Sequence, residues 1–62
     1  MLNRFVMDIR TDNAAFADDA APEVARILRD IASRLESGST GAPVHDINGN
    51  RVGSWRLETE HD

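Results

Sequence analysis

Apolar and polar side chains alternate through the first ten residues of the chain. Phe5, Met7 and Ile9 share one parity and Arg4, Asp8 and Arg10 the other, with Val6 as the one apolar residue on the polar side. A period of two predicts a half-buried strand over residues 2–10. The next stretch, residues 11–21, has no sustained period and many small and acidic residues, which indicates a connection. Its one large apolar side chain, Phe16, is expected to pin that connection to the edge of the core.

A helical pattern begins at Pro22. Proline suits the first helical position because of its fixed φ and missing N–H, and the nearby Asp18, Asp19 and Glu23 favour the positive end of the helix dipole. Gly38 is a natural residue just past the end, because glycine adopts the left-handed conformation that satisfies the last carbonyl groups. The apolar residues between them recur at helical spacing and form one stripe: Val24, Ile27, Leu28, Ile31 and Leu35.

The Asn48-Gly49 dipeptide predicts a β-hairpin, since both residues tolerate the positive φ of the tight turns that match strand twist. The first flanking strand is residues 44–47, which follow a flexible polar link and Pro43. The second is residues 50–57.

Two registers remain open for this hairpin. A two-residue loop sets Asp46 opposite Arg51, whereas a three-residue loop ending at Gly49, with a bulge, sets Val44 opposite Val52. We favour the second register because it pairs two β-branched side chains on one face.

Val52 has the opposite parity to Trp55 and Leu57 in the last strand. Either a bulge near Gly53 resets the alternation, or the strand is buried on parts of both faces. The pattern alone leaves both alternatives open.

The elements in chain order are strand, helix, strand and strand, which is the β-α-β-β order of an α+β fold. With the last strand in the middle, every pairing is antiparallel and the helix covers one face of a three-stranded sheet. The alternative sets the second strand beside the first as a parallel right-handed crossover. We predict one domain over residues 1–57 and a polar, frayed tail over residues 58–62. The uncovered sheet face is the natural surface for a partner.

The length and composition of the chain exclude several classes of protein. The chain has 62 residues, 40% apolar, with no cysteine and a formal charge of −4. So short a chain leaves little room for both a core and a deep active site, so we expect no enzyme and no cofactor. The absence of cysteine excludes a disulfide scaffold and a thiolate zinc site. No apolar run is long enough to be a signal peptide or to span a bilayer, and we expect a cytoplasmic protein without membrane contact.

Two groups of residues resemble known sites in type but not in spacing. Asp46, Asn48 and Asn50 alternate like the first ligands of a calcium loop, but Arg51 and Leu57 stand where its glycine and bidentate carboxylate belong, so we predict no metal. Asp46 and Asn50 are expected to flank a tight turn and to satisfy its backbone groups through side-chain hydrogen bonds.

His45, Asp46 and Ser54 have the residue types of a hydrolytic triad. The chain offers no nucleophile elbow and no oxyanion donors around them, and adjacent strand residues point to opposite faces. We therefore interpret His45 as a surface residue.

All the basic residues are arginines, and they alternate with more numerous acidic residues instead of forming a stripe. A net negative domain is repelled by a duplex, so nucleic acid is an unlikely partner. The alternative is an accessory nucleic-acid-binding protein in which Arg26, Arg29 and Arg51 cluster in space.

Trp55 has two interpretations. As the only tryptophan in a domain with few large side chains, it fills the core beside Phe5 and Phe16. Alternatively it is a binding anchor on the open sheet face, flanked by Arg51 and Val6, in keeping with the enrichment of tryptophan and arginine at interface hot spots. Exposure of the indole decides between them.

Two stretches carry a resemblance to a known family. The strand exit Ile9-Arg10-Thr11-Asp12-Asn13-Ala14-Ala15-Phe16 and the hairpin Asp46-Ile47-Asn48-Gly49-Asn50-Arg51-Val52-Gly53, joined by the helix, are similar to small uncharacterised proteins of tailed bacteriophages and prophages. That family has no assigned activity. The resemblance implies a phage origin and a module that binds a host or phage protein in the bacterial cytoplasm, as a modulator of a host process. A further hypothesis is a structural homodimer formed across the sheet face or the edge strands.

Overall fold

The computed structural model describes residues 3–60 and has the predicted α+β architecture. Its elements are β1 (Arg4–Ile9), a 3-10 turn (Ala14–Phe16), α1 (Ala20–Glu36), β2 (Gly41–His45) and β3 (Arg51–Glu58). The strands form one antiparallel sheet in the order β1-β3-β2, with α1 packed on one face. The all-antiparallel prediction is therefore confirmed, and the parallel crossover is excluded. Leu2 of the predicted first strand lies outside the described residues, as do His61 and Asp62 of the predicted tail.

The helix begins two residues before the predicted start at Pro22. Asp19 is the N-cap, and its Oδ1 accepts a hydrogen bond from the N–H of Ala21 at 3.2 Å. This cap allows Ala20 to be the first helical residue. Pro22 is then third, where an N–H has no partner within the helix, so proline is still accommodated.

The helix ends as predicted at Gly38, which has a φ of 97°. The N–H of Gly38 donates to the carbonyl of Leu35, and the N–H of Ser39 donates to that of Arg34, both at 3.0 Å. These two bonds form a Schellman motif, which closes the last turn with glycine in the left-handed conformation.

The strand β2 begins at Gly41, three residues earlier than predicted, and ends at His45. Gly41 lies opposite Arg56 and Ala42 lies opposite Trp55, so the segment expected to be a flexible link is paired with β3. Pro43 is accommodated because β2 is an edge strand, which leaves one side of its backbone without a sheet partner.

The hairpin has the predicted three-residue loop. The N–H of Asp46 donates to the carbonyl of Asn50 at 2.9 Å, and the N–H of Gly49, with a φ of 87°, donates to the carbonyl of Asp46 at 3.0 Å.

The predicted pairing of Val44 with Val52 is wrong, because Val44 lies opposite Gly53 and His45 lies opposite Arg51. Val52 is the extra residue of a bulge, so the bulge expected near Gly53 is confirmed. It reverses the alternation and lets Val52 and Trp55, three residues apart, both face α1.

The core lies between α1 and the part of the sheet formed by β2 and β3. The burial of Phe16, 4% exposed, confirms that it pins the connection after β1. Leu28 is 44% exposed, so its place in the buried stripe was wrong: it lies about 100° around the helix from Ile27, at the edge of the packed face. Six side chains form the core: Phe16, Ile27, Ile31, Val44, Val52 and Trp55.

Candidate functional site

Three large apolar side chains lie together on the surface at one end of the sheet. Phe5, Met7 and Leu57 are 45%, 37% and 39% exposed. Phe5 lies opposite Leu57 and Met7 lies opposite Trp55, so all three point to the face that carries α1. The Phe5 ring is 5.9 Å from the Trp55 ring between centroids, which makes these residues a continuation of the core. We refer to Phe5, Met7 and Leu57 as the apolar strip.

The strip is exposed because α1 lies over β2 and β3. Near its N-terminus, Arg26 donates to the carbonyl of His45 at the end of β2, 3.1 Å away. Beyond its C-terminus, the carbonyl of Thr40 accepts from the N–H of Leu57 at 2.8 Å. Leu28, 44% exposed, lies on the opposite flank of the helix to Arg26. The expectation that Phe5 is a core residue is therefore wrong: Phe5 is 45% exposed, and within residues 3–60 no element covers that part of β1.

The apolar strip borders the free edge of β1. In the order β1-β3-β2, both outer strands have one unpaired edge. The edge of β2 contains Pro43 and adjoins the bulge at Val52, two features that discourage pairing with another strand. The six residues of β1 contain neither a proline nor a register shift. Among the described residues, β1 is therefore the edge open to a further strand.

The other face of the sheet is charged, and no element among residues 3–60 covers it. Val6 lies on it opposite Arg56, and Arg4 lies opposite Glu58. Glu58 accepts from the Nε atoms of both Arg4 and Arg56, in the latter case at 2.7 Å. Hydrogen bonds from Arg56 and Arg4 hold the pKa of Glu58 below its usual value. The two cations are thus neutralised in part within the sheet.

A second cluster of polar groups orders the hairpin loop. Asp46 is 5% exposed, and its Oδ1 accepts from the N–H groups of Asn48 and Asn50, both at 2.9 Å. Its Oδ2 accepts from Nδ2 of Asn13 at 2.7 Å and of Asn50 at 3.2 Å. Burial alone would raise the pKa of Asp46, but the hydrogen bonds from Asn50, Asn13 and Asn48 outweigh it, and the pKa is lowered.

Glu23 joins the same loop to the helix. Its carboxylate, 8% exposed, accepts from Arg26 Nε at 2.7 Å and Nη2 at 3.1 Å, and from the N–H of Ile47 at 2.8 Å. The hydrogen bonds from Arg26 are the main cause of the lowered pKa of Glu23, and Glu23 in turn raises the pKa of Arg26.

The carboxylate oxygens of Asp46 and Glu23 accept hydrogen bonds that order the loop and join it to the helix. Both oxygens of Asp46 face N–H donors, as the turn chemistry predicted. Among residues 3–60, no cluster of histidine and acidic side chains is arranged to hold a metal ion, and no pocket is present. The arrangement can hold a loop in one conformation and present Ile47, 69% exposed, at its tip.

The residues predicted as a partner surface do not form one surface. Trp55 is 2% exposed and fills the core, so its placement as an anchor on the open sheet face is wrong. The bulge at Val52 turns Trp55 toward α1. Val6 and Arg51 lie on opposite ends of the sheet, because Val6 is level with Arg56, five residues along β3 from Arg51.

Arg26 and Arg29, the two helix arginines predicted to bind a partner, lie in different environments. The guanidinium group of Arg26 is held by Glu23 and the carbonyl of His45, whereas Arg29 is exposed and makes no hydrogen bond or ion pair within the described residues. Sequence reasoning missed the apolar strip, because its residues share the parity of the buried positions on the same strands. The signal for an edge surface was the absence of proline from the six residues of β1.

Comparisons of the chain with models of protein families, with curated proteins and with solved structures each found no match. Within residues 3–60, the one α-helix is too short and too polar to cross a membrane.

Proposed function

We propose that this protein is a non-catalytic protein-interaction module that binds its partner through the free edge of β1 and the apolar strip. The observation that carries the proposal is the exposure of Phe5, Met7 and Leu57 side by side, directly beside an unguarded strand edge. Main-chain groups of such an edge supply affinity to an added strand, and neighbouring side chains supply specificity. Contiguous apolar surface of this kind marks an interaction site.

The rest of the molecule supports this surface as a rigid scaffold. The core holds β3 against β1, and the contacts of Glu23 and Asp46 hold the opposite end of the sheet. Because the surface is already ordered before the partner binds, less binding free energy is lost in ordering it. The proposal extends to the setting that the family resemblance implies, a bacterial cell carrying a phage or prophage.

Nucleic acid is a weaker candidate than protein. Within residues 3–60, four of the seven arginines form ion pairs: Arg4 and Arg56 with Glu58, Arg26 with Glu23, and Arg34 with Asp30. Paired guanidinium groups have less charge available for phosphate, and the net charge of −4 opposes binding to a duplex.

Site-specific crosslinking tests the proposal. Phe5 is replaced by the photoreactive analogue p-benzoylphenylalanine, which preserves an aromatic ring at that position. The control carries the analogue at Ile47, the most exposed large apolar side chain among residues 3–60. In a bacterial lysate, we expect protein adducts at position 5 that unlabelled protein abolishes by competition and that a Phe5→Ser/Leu57→Ser variant does not. Absence of adducts at position 5, or equal competition by both proteins, would contradict the proposal.

A further inference from the structure

The free edge of β1 is complementary to itself. Resting on the proposed use of this edge, we propose that its partner is a second copy of the chain, paired antiparallel about a twofold axis at Val6. In that register Arg4 lies opposite Asp8 of the second copy, and Phe5 lies opposite Met7 of the second copy. The sequence Arg-Phe-Val-Met-Asp thus sets opposite charges and apolar side chains against each other on both sides of the axis.

The backbone restricts the registers that can form. The N–H of Arg10 donates to the carbonyl of Val52 at 2.8 Å, and the pairing continues with Asp8 opposite Ser54 and Val6 opposite Arg56. Hydrogen-bonded pairs alternate along an antiparallel ladder, so Val6 and Asp8 direct their backbone groups toward β3. The alternate residues, Phe5, Met7 and Ile9, direct theirs outward.

A second β1 must therefore pair outward residues with outward residues. The register about Val6 does so, since the N–H and C=O groups of Phe5 meet those of Met7 in the second copy. Shifting that register by one residue sets Phe5 opposite Asp8. The backbone groups of Phe5 point to the free edge and those of Asp8 point to β3, so they cannot pair, and the two side chains belong to opposite faces of the sheet. Shifting it by two residues in one direction sets Arg4 against Arg10, two like charges. Shifting it by two in the other direction sets Arg4 against Val6.

The charges in this part of the sheet are consistent with the register. The carboxylate of Asp8 makes no hydrogen bond or ion pair within residues 3–60. Arg4 uses its Nε for Glu58, and its side chain is 55% exposed, so the other guanidinium nitrogens remain accessible. The paired edge forms a six-stranded sheet with both helices on the same face. The apolar strips of the two copies then adjoin each other between the helices.

The first experiment exchanges the charges. Arg4→Asp places acids at both positions and Asp8→Arg places arginines at both, so each variant alone meets like charges across the axis. We expect sedimentation equilibrium to show a concentration-dependent dimer for the unmodified chain and for the control Asp12→Arg, and a monomer for each test variant. Native mass spectrometry of an equimolar mixture of the two variants is expected to show a heterodimer, which also demonstrates that both are folded.

The second experiment does not depend on charge. The chain has no cysteine, so Val6→Cys introduces a single thiol at the twofold axis, where directly opposed side chains are close enough for a disulfide. The control is Ser54→Cys, on the same face but on the central strand. We expect oxidation to produce a covalent dimer of the Val6→Cys variant many times faster than of the control.

Two outcomes overturn the pairing: an unmodified chain that is monomeric at every concentration, or equal disulfide formation by the two cysteine variants. Either would leave the interaction module intact if position 5 still crosslinks to a different protein. If a chain that dimerises crosslinks at position 5 only to a second copy of itself, the binding of any other protein at this edge is contradicted while the pairing stands.

Discussion

The N–H of Ile47, in the hairpin loop, donates to Oε2 of Glu23, on the first turns of α1, at 2.8 Å. The same carboxylate binds Arg26, which reaches the carbonyl of His45. This chain of contacts fixes the N-terminal part of the helix over the β2–β3 hairpin. Because the helix is held there, it does not reach over β1, and the apolar strip stays exposed at the other side of the sheet.

Substitution at Glu23 tests this connection. Glu23→Ala removes the acceptor for Ile47 and leaves Arg26 without its carboxylate, whereas Glu23→Gln keeps an amide oxygen but loses the charge. We expect the Tm, followed by circular dichroism, to fall by several degrees for the alanine variant and by less for the glutamine variant. Glu36→Gln, at an exposed position of the same helix, is the control and is expected to leave Tm nearly unchanged.

Stability is expected to fall in acid. The folded-state pKa values of Glu23, Asp46 and Glu58 lie below their usual values of 4.5, 3.8 and 4.5. Their charged forms therefore stabilise the fold above about pH 4.5, and this contribution is lost as the pH falls through the lowered values. Urea midpoints measured from pH 6 to pH 3 should decline. A midpoint that stays constant over that range would contradict the hydrogen bonding described for these carboxylates.

Asp46→Asn removes the negative charge at the hairpin loop while nearly preserving the shape of the side chain. Asn13 already uses its Oδ1 to accept from the N–H of Ala15, at 3.0 Å, so its amide cannot be rotated to accept from a new NH₂ group without losing that bond. We expect a lower urea midpoint and a weaker decline with acid than in the unmodified protein. Asp12→Asn, in an exposed loop position, should show neither change.

Gly53 is required by the close approach of β1. A Cβ added there would overlap with the carbonyl oxygen of Asp8. We expect Gly53→Ala to lower the free energy of unfolding by roughly 1–3 kcal/mol, the range for overpacked sites, in urea titrations. Ser54→Ala, at the next position of the same strand, is the matched control. An alanine variant as stable as the control would show that the two strands can separate at this point without loss.

The burial of Trp55 is open to direct measurement. With 2% of its surface exposed, the indole is expected to emit at short wavelength and to resist quenching by iodide. Unfolding in urea should shift the emission to longer wavelength and restore quenching. Emission typical of a solvated indole in the native protein would return Trp55 to the open sheet face as a binding anchor.

The sequence pattern predicted the secondary structure correctly where an element depends only on residues a few positions apart in the chain. The alternation before Arg10, the apolar stripe around Ile27 and Ile31, the left-handed Gly38 and the three-residue loop before Asn50 all match the structure. The predicted element boundaries were wrong where a contact in the folded structure sets them. Asp19 moved the helix start, and pairing with β3 turned Gly41 from link into strand.

The candidate site depended on such distant contacts. Phe5 and Trp55 have the same parity on paired strands and face the same side, so the core interpretation of the pattern applied to both of them alike. The position of α1 buries Trp55 and leaves Phe5 45% exposed, and a helix position set by Glu23 and Arg26 cannot be read from alternation.

The sequence by itself determined the order of the elements, the alternation of faces along β1 and the residues that end the helix, because these depend on backbone periods and conformational preferences over a few positions. Only the tertiary structure decided the bulge at Val52, the burial of Trp55 and the exposure of the apolar strip. The physical reason is coverage: a side chain loses its water only where another element lies over it, and one helix of 17 residues covers only part of the sheet.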